Sequence, residues 1–98
     1  MKPRGFEWDD GNKEKNREKH SVVERECEEV FADKNVVILP DDKHSSLMEK
    51  RFMILGVTKQ RRKLAVMYTL RYGFIRVISA RDQSKRERRR YEKKAKTN

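Results

Sequence analysis

The sequence predicts an α+β fold, a small antiparallel sheet with two N-terminal helices and one basic C-terminal helix. Three observations carry this. Apolar residues cluster in strand-length runs at 36–39, 52–57, 64–70 and 74–80. Tyr72-Gly73 joins the last two runs, where a two-residue hairpin turn favours Gly. Ser21-Val22-Val23-Glu24 and Ser84-Lys85-Arg86-Glu87 both have the spacing of a capping box, which opens a helix.

Taken in order, Phe6-Glu7-Trp8 alternates apolar with polar and reads as a short edge strand, and Asp9 or Asp10 is placed to cap the next segment. From Asp9 to Ser21 no residue is apolar, but Asn12, Asn16 and His20 recur at i, i+4 and i+8. That spacing predicts a helix docked by polar contacts, with Asn16 and His20 as its structural polar residues. The second helix opens at the Ser21 box and carries Val23, Cys27, Val30 and Phe31 as an apolar stripe. Val36 to Leu39 is a strand stopped by Pro40, Asp41 to Ser46 a polar loop, and Arg51 to Val57 a strand closed by the turn Thr58 to Arg62. In the hairpin Lys63–Arg71/Phe74–Ala80 the turn sets a register pairing Leu70 with Ile75, Tyr68 with Val77 and Val66 with Ser79. Met67, Thr69, Arg76 and Ile78 then share the opposite face. The last helix has Tyr91 and Ala95 as its apolar handles. The whole reads as one domain over residues 1–95, with 96–98 as a fraying tail.

Charge separates the chain into two parts. Residues 1–60 hold 12 basic and 13 acidic groups, whereas residues 61–98 hold 14 basic and 3 acidic ones. The second part should attract polyanions. Cys27 is the single cysteine, which excludes an internal disulfide and fits a reducing compartment. Met1 to Asp10 has no apolar signal region and no run reaches membrane-spanning length, so the expected location is cytoplasmic. The basic helix lacks an apolar face, and membrane binding is not expected. Cys27, His20 and His44 lack the paired spacing of zinc ligands, and no glycine-rich phosphate loop is present, so neither a metal nor a cofactor is expected.

What remains is cation chemistry on a rigid frame. Arg51, Arg76 and Arg81 sit on or at the end of strands, where a guanidinium fork can hold a phosphate in one place. For Arg81, at a strand end beside Asp82, the alternative is a surface ion pair worth about 0–1 kcal/mol. Arg76 interrupts an apolar strand, where a charge is costly without a purpose. Arg71 and the helix arginines Arg86, Arg88 and Arg89 extend the basic surface and suit tracking of a phosphate backbone, or a solvated face. His44 in its loop and His20 suit acid–base work by residue type, though His20 also fits a helix-end cap. Tyr68 and Tyr91 suit either base stacking or packing.

In order along the chain, Phe6-Glu7-Trp8-Asp9, Asn16 with Lys19-His20, Val30-Phe31, Asp42 with His44-Ser45, Arg51-Phe52, Tyr68-Thr69, Arg76 through Arg81, Glu87-Arg88 and Tyr91-Glu92 together resemble the BrnT family of bacterial type II toxins. The resemblance implies a RelE-like fold and metal-independent endoribonuclease activity that blocks translation. It also implies neutralisation by a BrnA-type antitoxin in a hetero-oligomer, with operator DNA reached only through the antitoxin. Ser21 stands where the family has Gly, Val23 where it has a capping hydroxyl, Glu24 where it has an aromatic and Lys50 where an acidic residue is common, with Glu49 the nearest substitute. RNA cleavage of this kind needs a base for the 2′-hydroxyl, cations for the phosphorane and an acid for the leaving oxygen. Arg51, Arg76 and Arg81 are the candidates for the cations, and His44 for proton transfer. The rival reading is a non-catalytic RNA-binding or antitoxin-bound corepressor domain using the same basic surface. A proton-transfer group beside the arginines separates the two.

Overall fold

The computed structural model describes residues 3–8 and 20–97. In chain order these form β1 (Phe6–Glu7), α1 (Glu24–Ala32), β2 (Val37–Pro40), a short 3₁₀ turn (Asp42–His44), β3 (Arg51–Val57), β4 (Lys63–Arg71), β5 (Phe74–Asp82) and α2 (Lys85–Thr97). The strands build one sheet in the order β1-β5-β4-β3-β2. The sheet is mixed rather than antiparallel, because β1 lies parallel to β5, with Phe6 opposite Ile75 and Glu7 opposite Arg76. A strand so distant in sequence from its partner is not held to the antiparallel direction that a short turn imposes. Two helices lie within the described residues; the expected first helix, with Asn16, lies outside them.

At the hairpin, Tyr72 (φ 53) and Gly73 (φ 85) are both left-handed, as the tight two-residue turn requires. Leu70 opposes Ile75 and Tyr68 opposes Val77, as expected. Beyond that point the expected register is wrong. A β-bulge at Met67/Tyr68 inserts Ile78 as an extra residue, so Met67 opposes Ser79 and Val66 opposes Ala80 rather than Ser79. A bulge reverses the alternation of every side chain beyond it on the strand.

The helix entrance also differs. α1 is capped at Val23 rather than Ser21, and the Glu26 carboxylate accepts the Val23 N–H at 3.1 Å. A valine has no side-chain oxygen, so only half of a capping box forms. Ser21 itself has φ 54, the backbone region where glycine is unstrained and other residues are not. Arg62 instead ties down the segment that leads into α1: its guanidinium donates to the carbonyls of His20 and Ser21, both at 2.8 Å, and to Glu26 and Asp82.

Strand alternation divides the core between the two sheet faces. Val22, Cys27 and Val30 at α1 pack on Ile54, Leu64, Val66, Tyr68, Ile75, Val77 and Ala80. On the opposite face, Tyr91 of α2 joins Leu55, Val57 and Ala65, with Val37, Met53 and Ala95 around them. Asp33 ties the two layers together: one carboxylate oxygen accepts both the Tyr91 hydroxyl (2.6 Å) and the Val57 N–H (3.0 Å). α2 opens with the expected box, Ser84 Oγ accepting the Glu87 N–H and Glu87 accepting the Ser84 N–H. The helix takes in Lys96 and Thr97, which composition assigns to the tail.

Candidate active site

The face that carries α2 is covered over only part of its area. Direct pairing lines up Arg51, Thr69 and Arg76 across β3, β4 and β5, then Met53, Met67 and Ser79, then Leu55, Ala65 and Arg81. Arg81 belongs to this face because of the bulge; strict alternation from Val77 would turn it toward α1. Between the first and third rows lies a cleft of about 530 Å³ lined by Asp41, His44, Arg51, Met53, Met67, Ile78, Ser79, Arg81 and Glu87.

The loop before β3 is pinned in place. Ser45 Oγ donates to the Asp41 carbonyl and accepts the Arg51 N–H, each at 2.8 Å, while the Asp41 N–H donates to the Arg51 carbonyl at 2.8 Å. His44 is thereby held against Asp41, with Nδ1 2.9 and 3.0 Å from the carboxylate oxygens. A carboxylate at Nδ1 selects the tautomer whose Nε2 carries the free lone pair, the form a general base requires. The pair is the orienting arrangement familiar from His-based catalysis.

Each cleft arginine also has a carboxylate partner. Arg81 forms a two-pronged bridge with Glu87 at 2.7 and 2.9 Å. That hydrogen bonding, ahead of opposing burial, raises the Arg81 pKa and holds the Glu87 carboxyl below its ordinary value. Arg51 Nε donates to Glu49 at 2.9 Å, and Arg71 approaches the other Glu49 oxygen at 3.9 Å. Arg76 donates to Glu7 at 2.9 Å. The guanidiniums are thus oriented before any phosphate arrives, and each carboxylate lowers the local positive charge.

The structure brings together three of the expected catalytic residues, His44, Arg51 and Arg81, in one cleft. Arg76 lies in the row of Arg51 on the same face, two strands across from it and outside the cleft lining. His20 is elsewhere: it is exposed and its carbonyl serves Arg62. Of the basic helix residues, Arg86 is exposed, Arg88 donates to the Gln83 carbonyl, and Arg89 lines a separate groove of about 630 Å³ with Arg90, Lys93, Lys94 and Val37. Tyr68 packs on the α1 face against Phe31 and Phe52, and burial raises its pKa. Tyr91 is pushed up to about 12, first by burial and then by its bond to Asp33. Both tyrosines are structural. Cys27 is buried and also pushed up to about 12, which makes its thiolate scarce.

Asp41 and Glu87 are the residues that sequence reasoning missed at the site. The D-x-x-H spacing of Asp41 and His44 could have signalled the first. Glu87 is recognisable as a helix cap, and its second bond, to Arg81, depends on the bulge. Among the described residues no three His, Cys, Asp or Glu side chains converge as metal ligands.

A search of curated proteins finds no match to the chain. A family model described as "Ribonuclease toxin, BrnT, of type II toxin-antitoxin system" matches residues 8–87. That span runs from the residue after β1 to the first turn of α2 and includes every residue lining the cleft. The chain therefore belongs to the BrnT family of ribonuclease toxins of type II toxin–antitoxin systems.

Proposed function

We propose that this chain is a metal-independent endoribonuclease on a RelE-like fold, acting at the cleft of His44, Arg51 and Arg81. The observation that carries the reading is a histidine held by a carboxylate in the same cleft as two guanidiniums. His44 Nε2 takes the 2′-hydroxyl proton, and the 2′-oxygen attacks the adjacent phosphorus. Arg51 and Arg81, with Arg76 from the row of Arg51, meet the charge that builds on the phosphorane. The departing 5′-oxygen takes a proton from an acid in the cleft or from water. Arg71, Arg86, Arg88 and Arg89 hold flanking phosphates without joining the chemistry. In the cell the activity inhibits translation in the cytoplasm and is neutralised by a BrnA-type antitoxin bound in a hetero-oligomer, through which operator DNA is engaged.

The test is cleavage of a mixed-sequence RNA by purified protein in excess chelator, beside His44→Ala and Arg81→Ala variants checked for folding. Cleavage that persists with chelator and falls in both variants supports the reading; equal cleavage by all three proteins removes the site. A second reading, a non-catalytic binding domain, draws support from the carboxylate on each arginine, which weakens the cleft as a cation. RNA binding without any turnover by the wild-type protein would establish it.

A further inference from the structure

The centre of the cleft is apolar where the ends are charged. Met53 and Met67 are direct partners on β3 and β4, Met67 opposes Ser79 on β5, and Ile78 is the extra residue of the bulge beside them. Met67 lies on the central strand of the sheet, yet it is only partly buried. α2 stops short of it: the side chains packed beneath that helix are Leu55, Val57, Ala65 and Met53 at the margin.

We propose that this methionine floor is a nucleobase subsite, holding the base of one nucleotide at the scissile linkage; the inference rests on the ribonuclease reading. Neighbouring strands spaced about 4.8 Å apart give a flat surface, and thioethers are polarisable enough to stack on a π-face. Ser79, at the end of the row, has a hydroxyl that can donate to or accept from a base edge.

The flanking cations fix the occupant. Arg51 and Arg81 are two strands apart and about four residues apart along the strand direction, so their Cα atoms are separated by about 16 Å. Two arginine arms reaching inward across that span leave room for one nucleoside between consecutive phosphates. An apolar peptide side chain would use the floor but bring no anion to both arginines and His44 beyond the carboxylates they already hold. A free phosphate would use the arginines but not the floor. A nucleotide uses both.

The experiment has two arms. In the first, methyl resonances of Met53 and Met67 in the wild-type protein are followed as the four nucleoside 3′-monophosphates are added, with inorganic phosphate as control. Shifts with nucleotides but not with phosphate support the subsite; equal shifts, or none with either, overturn it. In the second, RNA cleavage by Met67→Ala and Met67→Leu is compared with wild type and the cleavage sites are sequenced. Contact between a thioether and a base π-face predicts a loss of about two- to tenfold for Met67→Ala, together with altered base preference, and an intermediate loss for Met67→Leu, which keeps the apolar volume but not the sulfur. Unchanged rate and preference in Met67→Ala overturn the subsite while leaving the ribonuclease reading intact. A wild-type protein that neither cleaves nor binds RNA refutes the ribonuclease reading itself. Should Met67→Ala not fold, the methyl arm on the wild-type protein still decides.

Discussion

The two faces of the sheet are drawn from the same strands but serve opposite ends. Toward α1, Leu64, Val66 and Ala80 have no exposed surface, and the layer is apolar from β3 to β5. Toward α2, only one end is sealed, by Leu55, Ala65 and Tyr91, and the rest is left to arginines, methionines and the His44 loop. One layer supplies stability, which frees the other to keep charges in a half-open cleft where they are of little use to folding. Substitutions on the two faces should therefore fail in different ways.

Leu64→Ala on the α1 face should show the largest loss of stability, about 2–5 kcal/mol, from the transfer and cavity terms of a buried side chain. Denaturant unfolding measures it, and any protein that remains folded should keep its cleavage rate. Arg81→Ala on the other face should lower turnover by about 10²–10³ at saturating RNA, the usual cost of one preorganised donor. RNA affinity should change far less. A variant that loses affinity alone would erase the contrast between a catalytic and a merely sticky face.

Tyr91→Phe tests the tie between the layers. It removes a hydrogen bond to a carboxylate that also caps the Val57 N–H, and should cost about 1.5–3 kcal/mol. Loss of RNA turnover out of proportion to stability would mean that α2 positions the cleft as well as covering the core.

The Arg81–Glu87 pair makes a smaller, pH-dependent contribution. Because the folded Glu87 carboxyl titrates below the ordinary 4.5, its stabilisation is complete above about pH 4.5 and is lost as pH falls through the depressed value. Glu87→Gln should flatten that acid limb of an unfolding profile; an unchanged limb would assign the acid sensitivity to Asp82, whose pKa Arg62 also lowers. Smallest of all is the effect of single helix arginines. Arg86→Ala, Arg88→Ala or Arg89→Ala should each reduce the salt slope of single-stranded RNA binding by about 0.7 or less, leaving turnover at saturation unchanged. An unaltered slope would move the phosphate track off α2.

Much of this division was legible in local pattern. The bounds of β3, the Tyr72-Gly73 turn and the Ser84–Glu87 box each depend on a few adjacent residues, and each appears as expected. What local pattern does not contain is where distant segments meet. Phe6-Glu7-Trp8 reads as an edge strand, but nothing in it specifies pairing to β5 in parallel. Arg62 reads as a turn residue, yet it closes the entrance of α1 from about forty positions away. The cleft was half visible: the arginines and His44 stand out by residue type, whereas Asp41 and Glu87 gain their meaning only from the partners the fold brings to them.

Arg76 and Arg81 are five positions apart, an odd number, and still point the same way. The extra residue between them acts as a parity bit for the strand. Smoothing out the bulge at unchanged length would set Arg81 opposite Leu64 instead of Ala65 and turn its guanidinium toward the α1 side of the sheet. A deletion in the loop at 46–49, which lies outside any strand, carries no such parity. The bulge in this one stretch of β5 is therefore as much a determinant of the site as the identity of its residues, and a one-residue deletion that removed it would still leave the arginine opposite Ala65.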